Sequence, residues 1–180
     1  MPVGPAADEY LRMSYIDLLH DCYKDELWGS RAFELFSDRK RMAAREQAVL
    51  GVLVTLEKAM QGHLSFVLRR HGQTWDQRRY AMQADTIAQG IAAQYGDLPW
   101  HRFNAEFEAG IGPYLHKYQL LQSRAPEQDR VVMDLFVAHE KALKTLARAE
   151  QVMEHESSLS AVWRVLETSQ AIAGATAQRA

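Results

Sequence analysis

The chain has 180 residues, 47% hydrophobic and 24% charged, the balance of a globular protein with a sizeable core, here read as one domain over 1–180 with its core at about 10–155. A net charge of −2 and a pI near 6.4 give no electrostatic reason to expect a nucleic-acid or anionic-membrane partner. The single cysteine, Cys22, excludes an internal disulfide and a thiolate-rich zinc site, and no run approaches the ~20 apolar residues needed to cross a bilayer. Met1 to Ala7 lack a basic segment leading into an apolar run, so a reducing, cytoplasmic setting is expected.

Between Asp8 and Glu156 apolar residues recur at steps of three and four, without the period-two alternation of half-buried strands, which predicts an all-α fold. A first helix over about 8–37 carries Tyr15, Leu19, Cys22, Glu26, Gly29, Phe33 and Phe36 on one stripe. After a polar turn at Ser37-Asp38-Arg39-Lys40, a second helix over about 41–71 presents Leu50, Leu53, Glu57, Met60, Leu64 and Val67, and the short connection makes the two antiparallel. Thr74-x-x-Gln77 resembles a capping box opening a polar third helix, a covering or crossover element that Gly96 ends. A fourth helix starts at Asp97-Pro99, lines up Phe103, Phe107, Ile111, Tyr114, Tyr118 and Leu121, and is expected to kink or break at Pro113. The fifth, about 126–155, carries Val132, Phe136, His139, Leu143, Leu146, Glu150 and Met153. Ser157 or Ser158 then caps a shorter helix with Leu159, Val162, Trp163 and Leu166, and the tail from Gly174 is expected to fray.

Two of these helices carry matching tetrapeptides, Glu57-Lys58-Ala59-Met60 and Glu140-Lys141-Ala142-Leu143, on the edge of an apolar stripe. A carboxylate facing a bundle core must be paired, protonated, hydrogen-bonded or bound to a cation, since leaving it isolated costs several kcal/mol. Cys22 reads as a small core residue, and Asp17-x-x-His20 as a surface contact despite its metal-capable spacing.

Glu26-Leu27-Trp28-Gly29-Ser30-Arg31 resembles the first-helix pattern of rubrerythrin-type members of the ferritin-like superfamily, a glutamate followed by small residues and an arginine. His139-Glu140-Lys141-Ala142-Leu143, with Glu150 further on, resembles their last metal-bearing helix. The resemblance implies an antiparallel four-helix bundle with an extra crossover helix and a short C-terminal helix. It further implies an iron or manganese centre of oxidoreductase type, drawn from Glu26, Glu57, Glu106 or Glu108, His139 and Glu140. Met60 and Leu143 stand where such members carry histidine, which makes the centre a degenerate one. His139 lies about 100° around the helix from Glu140, so the two are not expected to point centrally together.

The alternative is a non-enzymatic bundle without metal, its glutamates neutralised by Arg31, Arg45 or tyrosine, that binds a small molecule or a protein partner. A third all-α reading is a haem-oxygenase-like bundle with His20 or His139 as cofactor ligand. The amphipathic stripes also permit a homodimer.

Overall fold

The three-four periodicity becomes seven α-helices and no strand among the residues that the computed structural model describes, 7–38, 42–152 and 157–177. They are α1 (Ala7–Arg12), α2 (Tyr15–Ser37), α3 (Ala44–Arg70), α4 (Gln77–Tyr95), α5 (Trp100–Ser123), α6 (Arg130–Gln151) and α7 (Ser160–Ala177), with a 3-10 turn at Glu127–Asp129 before α6. The expected turn residues Arg39-Lys40 and the stripe residue Met153 lie outside the described residues. None of the helices is long and apolar enough to cross a membrane.

Local chemistry explains where the boundaries depart from the periodicity. The first predicted helix is two, because Ser14 starts α2 afresh: its hydroxyl accepts from the Asp17 N–H, and the Asp17 carboxylate accepts from the Ser14 N–H at 3.2 Å. Asp17 is thereby a capping carboxylate, held below its ordinary pKa by its bonds to Ser14. The cap of α4 is Asp76, not Thr74: its carboxylate accepts from the Arg79 N–H at 2.9 Å. α5 runs through Pro113 without a break. Ala109 and Pro113 both face solvent, where the carbonyl that the proline leaves unbonded is open to water. α7 is helical to Ala177, past the point where fraying was expected.

Cross-helix contacts set the directions. Tyr15, early in α2, meets the His71 ring just past the end of α3, so these helices are antiparallel. Pairs Tyr118–Phe136 and Gln122–Asp134 at one end, and Trp100–Glu150 at the other, make α5 and α6 antiparallel. α4 returns alongside α2 and parallel to it, with Tyr80 beside Tyr23 and Asp85 bonded to Arg31. α5 then descends against α2 through Phe36–Phe103, Phe33–Phe107 and Trp28–Tyr114 ring contacts. α7 packs on α6 and α3, where buried His63 bonds Ser169 at 2.8 Å. The buried apolar side chains of these helices form one continuous cluster.

Three polar clasps sit at the margins of that cluster. Glu150 takes Arg45, at 2.5 Å, and the Trp100 indole at 2.8 Å, while Arg45 also bonds Ser158, which ties α3, α5, α6 and the start of α7 together. At the other end Asp129, fully buried, accepts from Tyr15 at 2.8 Å and is bonded to His71 at 2.6 Å and paired with Arg70. Lys117 of α5, 1% exposed, reaches Asp21 and Asp25 on α2. Burial opposes its charge, but Asp25 and the other groups around it more than offset that and raise its pKa. Removing the cation would leave two acids facing each other in a half-buried interface. Lys117→Met should therefore cost about 3 kcal/mol, read as a lower urea midpoint at unchanged slope.

Candidate metal centre

Where α2, α3 and α6 converge, three ligand-type side chains meet. Glu26 from α2, Glu57 from α3 and His139 from α6 each bring one ligand atom to within 4.8 Å of the others, and all three are buried. His139 Nε2 lies 3.2 Å from Glu57 Oε1, and its Nδ1 lies 3.9 Å from Glu26 Oε1. Glu140, the next residue along α6, adds a third carboxyl, with Oε1 at 3.7 Å from His139 Nδ1. The expectation that His139 and Glu140 would diverge is corrected here. Helix α6 packs against α5 on one side and α7 on another, and Phe136, Val137, His139 and Glu140 are all buried, so its interior arc is wide enough for both side chains.

Each carboxyl reaches the centre for a local reason. Gly29 lies one turn after Glu26, on the same face of α2. A Cβ there would meet Glu57 Oε2 at 2.8 Å and its carboxyl carbon at 3.3 Å, so the missing side chain is the space that the Glu57 head occupies. From α5 comes a phenol: the Tyr118 hydroxyl donates to Glu26 Oε1, and its ring stacks on Phe136 at 5.3 Å. Tyr118 was read from the sequence only as a core aromatic, and a hydroxyl on an apolar stripe gives no signal of its partner.

The other predicted positions lie apart from this group. Glu108 is half-buried and engaged by Arg148 and by Gln151 at 2.8 Å, which hold its carboxyl below the ordinary range. Glu106 is exposed, at the rim of the adjoining cavity. The arginines expected as neutralising partners are used elsewhere: Arg31 on Glu34 and Asp85, Arg45 on Glu150 and Ser158. Met60 is fully buried, and Leu143 lines the cavity beside Glu140. His20 sits against Trp75 and Tyr80 and is not among the residues that converge with Glu26 and Glu57.

The electrostatics follow from burial without cations. Among the described residues no lysine or arginine forms an ion pair with Glu26, Glu57 or Glu140. Burial pushes Glu57 and Glu140 from their ordinary 4.5 up to about 8. Burial and the neighbouring Glu57 raise Glu26 well above its ordinary value. Burial and the charge of Glu26 likewise raise the Tyr118 phenol. Two buried ligand atoms nevertheless lack any hydrogen-bond partner: Glu26 Oε2 and His139 Nδ1. The arrangement can hold protons or a cation, and the two orphaned atoms are of the types that bind one.

No family model, curated protein or solved structure matches the chain.

Two outcomes follow from the geometry. Acids that bind protons more tightly when folded favour the folded state at low pH, and this advantage is lost as pH rises from about 4.5 to about 8. Metal-free protein should therefore melt about 5 °C lower or more at pH 8.5 than at pH 5, and replacing Glu57 and Glu140 with glutamine should flatten that slope in a calorimetric series. Gly29→Ala should displace the Glu57 head at little cost to the melting temperature, because the atom that must move is the end of a flexible side chain. The displacement is measured as an altered pH-dependence of stability.

Proposed function

We propose that this chain binds a divalent transition-metal ion, iron or manganese, through Glu26, Glu57 and His139, with Glu140 as a fourth donor, as an oxidoreductase-type member of the ferritin-like class. The observation that carries this reading is that Glu26 Oε2 and His139 Nδ1 are each left without a hydrogen-bond partner inside a buried set of three carboxyls that no described lysine or arginine pairs with. Oxygen donors with one imidazole suit iron or manganese better than a soft metal.

The helix directions support the class. Two antiparallel pairs, α2 with α3 and α5 with α6, are joined by a helix that travels the length of α2, which is the connection such a bundle requires. The donors come from α2, α3 and α6, while α5 offers Tyr118 where a two-metal site would need another carboxylate. The reading is accordingly a centre for one ion. A bound ion supplies Lewis-acid and redox chemistry. The chain's own residues hold a proton between Tyr118 and Glu26, orient His139 through Glu57, and keep bulk water away with buried aromatic neighbours.

A second reading, a bundle without metal, is favoured by the raised affinity of Glu57 and Glu140 for protons, which lowers the cost of burying them in the absence of an ion. Metal analysis after anaerobic reconstitution separates the two. The proposal expects about one iron or manganese per chain, a melting temperature that rises on loading, and loss of both responses when Glu57 and Glu140 are changed together to glutamine. A parent protein that stays metal-free, with unmoved melting temperature, would establish the second reading.

A further inference from the structure

An open groove of about 580 Å³ runs between α6 and α7 and shares no residue with the cavity beside the acids. Two contacts fix α7 in place: the Arg45 clasp holds Ser158 beside Glu150 at the end of α6, and Ser169 bonds His63 of α3 at 2.8 Å. α7 thus runs back along α6 with its Ser169 side turned to α3. Its next face, with Thr168 and Ala171, stays open beside the outer face of α6. The groove floor is apolar, from buried Leu135 and Val165 and half-buried Ile172. Its lips are the exposed Val131, Ala138, Ala171 and Ala175, of which Val131 leaves 63% of its surface in water. Side chains this short let other helices come close.

Charge decides what covers such a face. Two charged residues line the groove, one of each sign and one on each wall: Asp134 on α6 and Arg164 on α7. Both are exposed, and their bonds within the chain are to uncharged groups, Gln122 at 2.7 Å for Asp134 and the Ser160 carbonyl at 3.3 Å for Arg164. A uniformly acidic or basic partner would match one wall and oppose the other. A second copy of the same face matches both, because a two-fold axis in the plane of contact exchanges the two positions and sets each arginine against the other copy's acid. The face formed by two neighbouring helices, with α7 ~27 Å long and a pair ~18 Å wide, offers roughly 500 Å² per copy. That is near the lower limit of about 1,000 Å² in total for a specific pair, which points to reversible association.

We infer that the α6–α7 groove is the contact face of a two-fold homodimer, in which Val131, Ala138, Ala171 and Ala175 pack across the axis and Arg164 of each copy pairs with Asp134 of the other. The dimer draws on none of the acids of the interior. Its test is therefore independent of whether the chain loads a metal.

The test is sedimentation equilibrium of the full chain from about 1 to about 200 µM, where the parent is expected to pass from monomer to dimer. Asp134→Arg and Arg164→Asp each turn two opposite-charge pairs into two like-charge pairs, so either variant alone should associate at least about tenfold more weakly than the parent. Mixed one to one, the two variants restore both pairs, and the mixture should dimerise as the parent does. Ala171→Glu sets an uncompensated charge in the apolar contact and should leave a monomer throughout. All three positions are exposed, so the variants should keep the parent's melting temperature at the lowest concentration, which shows that the fold is retained. A parent that stays monomeric, single variants that associate as the parent does, or a mixture that stays as weak as its components would each overturn the inference.

Discussion

Three carboxyl groups packed into one apolar interior, answered by one imidazole and, among the described residues, by no lysine or arginine, is the constraint around which the rest of this molecule is arranged. Such a group of acids costs too much to exist as free anions. The chain therefore divides its charges into two kinds. Asp21, Asp25, Asp129 and Glu150 are matched by Lys117, Arg70 or Arg45, each at the margin of the core. Glu26, Glu57 and Glu140 are left to protons, to one phenol and one imidazole, or to an ion. The matched set fastens helices together, and the unmatched set creates chemical potential.

That division is carried by the helix directions. Because α4 spans the length of α2 before α5 begins, α5 descends against α2 and brings Tyr118 level with Glu26. Had α5 begun at the other end, Trp28, Phe33 and Phe36 would not face Tyr114, Phe107 and Phe103 in order. The aromatic wall and the acid cluster are thus products of the same register.

Much of this was legible in the chain itself, and the reason is periodicity. Glu26 and Glu57 sit within otherwise apolar three-four stripes and Glu140 on the edge of one, and the structure buries all three. Helix order also follows from the stripes, but the division of the first helix at Ser14 and the helix ends do not, since they depend on single hydrogen bonds. Ser14 and Asp76 both cap helices, while Thr74 carried an equally good pattern and does not. Glu106 and Glu108 were indistinguishable from sequence because they flank the buried Phe107 on opposite edges of α5's apolar face, about 200° apart, and only their surroundings, the cavity rim for one and Arg148 for the other, tell them apart. His139 could be placed on a buried stripe but not aimed, because angular arguments on one helix ignore how many neighbours it has. Tyr118's partner lies 92 positions away in sequence, beyond the reach of any local rule.

The donors around the centre come from α2, α3 and α6, and α5 answers them only with a hydroxyl and aromatic rings. Among the described residues no carboxylate of α5 joins the group, so the acids adjoin an apolar cavity on the side that α5 helps to wall. That cavity is bounded by Trp28, Phe33, Phe107 and Tyr114, so anything reaching the acids from this side would exchange its hydration for contact with rings.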